Sequence, residues 1–345
     1  MTTSVESSGV YVIAYPHLYA VGNLLGSSVF SPVYWKDAVL KPLTNGTYSS
    51  AVACSILGTP GGDVYVGGYG NIGSTGSGAV YWKNNVIQNL PNLSSYNWPL
   101  SAAKDSIGNV FFGGTIVGNR WVGAYWGIPS ATQLPSSGAD GSAGYGIAVS
   151  STGDIYVTGY LSYNTYPAGT NHPGYWKNGG GFIQLSSQNE VAGAICISSG
   201  DHVYVTGYGY EGGYWKDGAW QRLSPGSALA CVATGITVVA GDVYVSGHTL
   251  SGGSYTPAYW KNGSLTILPT GSAPSAQALG IAVEGNDVDV VGELLSSGGA
   301  AMGAVYWKSG TLNTLPIGSA TTGYIGTLGP VGIELGLSTL FLAKN

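Results

Sequence analysis

Catalysis would have to come from 16 carboxylates, 4 histidines and 3 cysteines, and few of them are spaced for it. Asp289 and Glu293, in the run DVDVVGE, stand out because Tyr or Phe takes the place of Asp289 in five other stretches of similar sequence. Two carboxyls cleave a glycosidic bond when they flank it at ~5–9.5 Å. Residues four apart on a strand share a face but lie ~13 Å from each other, at about 3.3 Å per residue. That distance disfavours the pair. Asp63, Asp154, Asp201 and Asp242 each follow Gly, as turn residues do. His17, His172, His202 and His248 are scattered. Cys54, Cys196 and Cys231 sit in the apolar runs AVACSIL, GAICIS and LACVAT, with no CxxC or Cys/His cluster, and read as small buried hydrophobes. No GxSxG, HExxH, P-loop, dinucleotide-binding or SxDxGxTW pattern occurs. The residues thus predict no catalytic group, no metal site and no cofactor.

The elements that would position any site are marked by a repeated phrase. Tyr-Trp occurs at Trp35, Trp82, Trp126, Trp176, Trp215, Trp260 and Trp307, at intervals of 47, 44, 50, 39, 45 and 47 residues. A period of about 40–45 residues built from short strands is that of a β-propeller blade. Composition agrees with one repeated body: Gly 58 and Tyr 25, 44% hydrophobic, and only 8% charged against the usual ~25%. A net charge of -5 with 11 Lys plus Arg spread along the chain argues against nucleic acid. No apolar run approaches the ~20 residues of a membrane-spanning helix. The opening MTTSVESSG has no basic stretch before an apolar core, so no signal peptide is expected in it. The polar, weakly charged composition leans towards an extracellular or cell-surface setting.

Residues 194–223 show one repeat. Ala194–Ile197 reads as a first strand, His202–Thr206 as a second, Gly213–Lys216 as a third and Ala219–Leu223 as a fourth. Asp217-Gly218 supplies the two positive-φ positions of a type I′ hairpin, as do Asn178-Gly179, Asn262-Gly263 and Ser309-Gly310 elsewhere. Second strands read DVYVGGY (63–69), NVFFGGT (109–115), DIYVTGY (154–160) and DVYVSGH (242–248). Leu-Pro closes several fourth strands, where an absent N–H costs least. No helix-period segment is present.

The lines AVSSTGDIYVTGY (148–160) and ISSGDHVYVTGY (197–208) resemble the bacterial seven-bladed β-propeller repeat family, whose pattern is roughly DssGNvYVtGyt. The resemblance touches every repeat and covers about a third of each; the YWK-N-G half lies outside it. HLYAVGN (17–23) and DVDVVGE (287–293) depart from it. It implies a propeller in a surface or secreted setting and brings no catalytic residues.

The expectation is therefore an all-β, seven-bladed β-propeller of four-stranded antiparallel blades, a single domain over 1–345. Its repeats lie near 10–43, 51–91, 100–135, 145–185, 192–223, 230–269 and 278–316, and pairing of N- and C-terminal segments closes it. Strand counting gives about 30 where a closed ring needs 28. Val10–Tyr15 and Leu18–Val21 read as the first and second strands of the first blade, and Gly332–Leu335 and Thr339–Ala343 read as a first and second strand again. Either they share the first blade, or residues 325–345 pair with another subunit by β-augmentation, giving a homo-oligomer or polymer. An eight-bladed ring with a truncated last blade is a third arrangement.

Strand order puts the first-to-second and third-to-fourth turns on one face and the variable loops on the other. That variable face carries Tyr69, Tyr96, Trp98, Trp121, Tyr160, Tyr163, Tyr166, Tyr208, Tyr210 and Tyr255, with Arg120, His172, Glu211, His248 and Glu293 among them. Aromatic faces with sparse polar groups suit sugars or protein hot spots. The repeated Trp reads as blade-to-blade packing. Lys36, Lys83, Lys177, Lys216, Lys261 and Lys308, with Gly127 breaking the set, read as surface amines too far apart to converge on an anion. The function expected is a non-enzymatic binding or scaffold propeller for a glycan or protein ligand. Self-assembly through the C-terminal strand, or a hydrolase or lyase site at the central channel, are the alternatives.

Overall fold

A computed structural model describes residues 17–25, 30–59, 61–73, 76–163, 170–188, 190–208, 211–318, 322–325 and 343–344. These residues form β-strands joined by turns, with no helix among them. Residues 141–184, 191–222, 230–267 and 275–314 each make a four-stranded antiparallel sheet in simple sequence order. Residues 50–89 and 96–133 make two more such units, joined into one eight-stranded assembly by a single parallel bridge from Ser77 to Tyr96. In the stretch read strand by strand above, the strands run Val191–Ile197, Val203–Tyr208, Gly213–Lys216 and Ala219–Arg222. The expected Asp217-Gly218 hairpin has φ of 48° and 82°, both positive as a type I′ turn needs.

The turn is fastened by a side chain. Asn84, Asn178, Asp217 and Asn262 each turn an oxygen back to the backbone N–H at the start of their own second strand, at 2.8–2.9 Å. Their partner one residue earlier is complementary. Where the turn has Asn, the strand starts with Asp63, Asp154 or Asp242; where the turn has Asp37 or Asp217, it starts with His17 or His202. The scattered histidines at 17 and 202 are therefore parts of a turn.

Each first strand outside the N-terminal sheet carries a bulge, between Ala53 and Ser55, Pro99 and Ser101, Gly144 and Ile147, Ala192 and Ile195, Ala233 and Gly235, and Ala278 and Gly280. The Gly of the second-strand motif answers it. A Cβ at Gly68, Gly159, Gly247 or Gly292 would run into the carbonyl of Val52, Ala143, Val232 or Gln277. Ser and Thr hydroxyls tie sheets to one another around these bulges, as Thr115 Oγ1 does to the Gly144 carbonyl (2.8 Å) and Thr234 Oγ1 to that of Ala278 (2.9 Å).

The repeated Trp is core, at 0–2% exposure in all seven positions. Burying an indole removes 150–250 Å² from water, a gross gain on the order of 5 kcal/mol before entropy. Its N–H adds direction. Trp82, Trp126, Trp176, Trp260 and Trp307 donate to the carbonyls of Thr44, Pro91, Pro135, Ser224 and Pro269, each just past the fourth strand of the preceding sheet, at 2.7–2.9 Å. Trp35 donates to Pro316, 281 residues further on, at 2.7 Å.

That bond agrees with the strand pairing at the chain ends. Leu18–Leu25 pairs on one side with Phe30–Lys36 and on the other with Thr322–Ile325 and Ala343–Lys344. Both late segments thus lie along one edge of one strand of the same chain. A continuous apolar cluster runs from Tyr19, Val21 and Trp35 to Leu279, Val291, Ala304 and Leu315. Val10–Tyr15, Gly332–Leu335 and most of Thr339–Ala343, expected above as strands, lie outside the described residues.

Candidate functional site

The densest aromatic group lies where second strands end and third strands begin. Trp98 is at its centre, with ring centroids 6.3 Å from Tyr69, 6.1 Å from Tyr96 and 5.7 Å from Trp121. Trp121 also packs against the neighbouring cluster of Ala143, Tyr160 and Val191, where Tyr145 lies 5.9 Å from Tyr160. The rings thus form a belt across the sheets of residues 50–89, 96–133 and 141–184. Trp98 and Tyr69 are buried, Trp121 and Tyr96 half-buried, and Arg120 beside Trp121 exposed. Arg120 lines a shallow cleft of about 440 Å³ with Val122, Gln133, Pro135 and Ser136. The half-open Trp121 ring can stack on an apolar face, and the exposed Arg120 guanidinium can hydrogen-bond oxygens in its own cleft.

The remaining expected residues do not all join this belt. Tyr163 pairs with His172 at 4.9 Å, and His248 with Tyr255 at 4.8 Å, each on its own sheet. Glu211 forms an ion pair with Arg222 at 3.2 Å, within the unit of residues 191–222 further along. Tyr166 and Tyr210 lie outside the described residues; Tyr208 ends a second strand, with its side chain also outside them. Tyr69, Tyr160, Tyr208, His248 and Glu293 occupy one repeat position, the residue after the motif Gly. At that position Asn23, Tyr69, Thr115, Tyr160, His248 and Glu293 are all buried, so its variable chemistry points inward. Burial raises the Tyr69 phenol, with the nearby Cys54 adding to it, and lowers the His248 imidazole to about 4. Neither titrates near neutral pH in the folded chain.

The lysine set has a local explanation. Lys36, Lys83, Lys177, Lys216 and Lys261 each lie over the ring of a cross-strand tyrosine, Tyr19, Tyr65, Tyr156, Tyr204 and Tyr244, at 5.2–5.6 Å. Three of them also pair with the second-strand Asp63, Asp154 or Asp242 at 2.7–2.9 Å. Where Lys is replaced by Gly127, the facing residue is Phe111; where the ring is replaced by Asp289, the facing residue is Lys308. Asp289 therefore takes, by register, the strand position that faces the lysine in the other repeats. Asp289 and Glu293 are both buried on one strand, Asp287–Leu295.

No protein-family model and no curated protein matches this chain. Solved structures with a similar course of the chain include the extracellular domain of a one-component system, BT4673, from B. thetaiotaomicron, at 11% identity and a TM-score of 0.43, matching 83% of this chain and 38% of that one. This chain thus spans under two fifths of that protein. The periplasmic gluconolactonase of Pseudomonas aeruginosa matches 88% of this chain and 100% of its own at 11% identity and a TM-score of 0.41. The Aleuria aurantia lectin, in complex with Fucalpha1-6GlcNAc, matches 82% of this chain and 97% of its own at 12% identity and a TM-score of 0.33.

Proposed function

We propose that the chain is a non-enzymatic binding protein of the cell surface or extracellular space, a seven-bladed β-propeller that recognises a glycan or the glycan-bearing face of a protein. Closure is supported by Trp35, which gives its N–H to Pro316 as each other bonded indole does to the sheet before it, and by the Thr322–Ile325 strand on Leu18–Leu25. One observation carries the binding reading: the belt leading from buried Tyr69 and Trp98 to half-open Trp121, with the exposed Arg120 one residue earlier in the chain lining a cleft of its own. Buried rings hold the outer indole rigid, so little freedom is lost when a ligand stacks on it. The convergent titratable groups that catalysis requires are replaced here by turn and rung partners, which is why binding is preferred to chemistry.

A glycan array probed with the intact chain tests this. We expect discrete hits that weaken about tenfold in Trp121→Ala, the size of one lost stacking contact. Hits unchanged in Trp121→Ala and in Arg120→Ala would move recognition away from the belt, and an array without hits would end the glycan reading.

A further inference from the structure

Six of the seven indole N–H groups bond the sheet before them; Trp215 is the exception. Its counterpart acceptor is the carbonyl of Ser186, which follows Leu185 as Thr44 follows Leu43 and Ser224 follows Leu223. That carbonyl instead receives Nε2 of Gln184 at 3.0 Å. Trp215, 2% exposed, has no hydrogen-bond acceptor among the described residues. The two sheets part at this place. Leu185 is only half-buried, while its counterparts Leu43, Leu90, Leu134, Leu223, Leu268 and Leu315 are buried at 1–7%. The result is a groove of about 510 Å³, the size of a small-molecule site, lined by Ser186, Gln188, Glu190, Glu211, Trp215 and Trp220.

The lining differs from every other groove in kind. Trp220 stands opposite Trp215, with centroids 4.6 Å apart, at a position held by Leu40, Ile87, Ala131, Phe182, Leu265 and Leu312 elsewhere. Glu190 is 9% exposed, and burial raises its carboxyl above the usual range against a hydrogen bond from Ser186, with the charge of Glu211 raising it further. Glu211 is already matched by Arg222. The groove thus offers a donor that lacks an acceptor, carboxylate oxygens with lone pairs to spare beyond their bonds to Ser186 and Arg222, and an apolar ring wall. A hydroxyl accepts from an N–H and donates to a carboxylate at once, which an ammonium group cannot do.

We propose that the groove between the sheets of residues 141–184 and 191–222 binds a saccharide ring, its hydroxyls between the Trp215 N–H and the carboxylates of Glu190 and Glu211, its C–H face against Trp220. This site is separate from the belt around Trp98 and Trp121.

Calorimetric titration of the intact chain with the methyl glycosides of glucose, mannose, galactose and fucose, and with N-acetylglucosamine, tests it. At least one should bind, with a Kd near the millimolar range of a single-ring ligand. Trp220→Leu, which installs the residue of three other sheets, and Glu190→Gln should each weaken it about tenfold or more. Gln184→Thr, which installs the counterpart residue Thr314, frees the Ser186 carbonyl and should weaken binding with every lining residue in place. Trp121→Ala should leave this binding unchanged, so the groove and the belt fail separately. Thermal melts check that each variant folds. The proposal is overturned if none of the five sugars binds at about 20 mM, a concentration that would reveal such a Kd. It is equally overturned if Gln184→Thr and Glu190→Gln bind as the parent does, or if tetramethylammonium binds and the sugars do not.

Discussion

A tryptophan in this chain carries two separable contributions, a buried ring and a directed N–H. Trp260→Phe keeps most of the ring and leaves the Ser224 carbonyl without its donor, so it should cost about 1–3 kcal/mol beyond the change in volume. Trp215→Phe loses no such bond and should cost less; equal losses in urea melts would show that the N–H does not matter. His248 sets a pH dependence. Its folded pKa is about 4 against 6.5 for the free imidazole, so the unfolded chain binds more protons between those values. Stability should therefore fall as pH drops from about 6.5 to 4, by up to about 3 kcal/mol at about 1.36 kcal/mol per pKa unit. His248→Tyr, matching Tyr69 and Tyr160, should flatten that window when melting is followed against pH. Residue types alone made the tryptophans legible as core. They did not reveal that Tyr69, Tyr160, His248 and Glu293 share one inward position, because their differing chemistry looked like loop variation. Reading each copy from its motif Gly would have aligned them.

In the individual sheet, the bulged carbonyl and the motif glycine fit each other. Gly292→Ala should cost on the order of 3 kcal/mol, since backbone rather than a movable side chain stands in the way. Gly303→Ala, with nothing within 4 Å of the added carbon, is the control and should be near neutral. Parallel denaturant curves decide the matter, and similar midpoints would mean that the bulge can shift. Hairpins were legible because Asn-Gly and Asp-Gly have few conformations to choose from. Bulges were not, as alternation with period two shows which face a residue takes and hides an extra residue opposite a glycine. The Tyr–Lys rungs were half legible: the lysines were visible as a set, but their partners lie 12–21 residues away on another strand. The opened groove at Ser186 was hidden for a further reason, since Gln184 competes for a carbonyl that carries no sequence signature of its own.

In the whole molecule, the late segments decide what happens at the edge of Leu18–Leu25. Removing residues 319–345 would expose that edge, and bare edges recruit other chains. We expect the truncated chain to self-associate with rising concentration in light scattering while the parent keeps a single mass. A parent that is already polymeric, and a truncated chain that is monomeric, would favour exchange of these strands between molecules. The repetition of four-stranded sheets was legible from the Tyr-Trp spacing. The ends were not, since one strand position on Leu18–Leu25 is filled by two pieces separated in sequence.

The indole-to-carbonyl handshake is identical in kind at six joints, so units meeting at any of these six would find matching partners at any other of them; the joint at Trp215 stands apart. Deleting one unit would expose a donor and an acceptor that suit each other. Bonding chemistry at the joints therefore does not limit how many copies assemble. A gene that gained or lost a unit by duplication at one of these six joints would meet no mismatch of bonding partners.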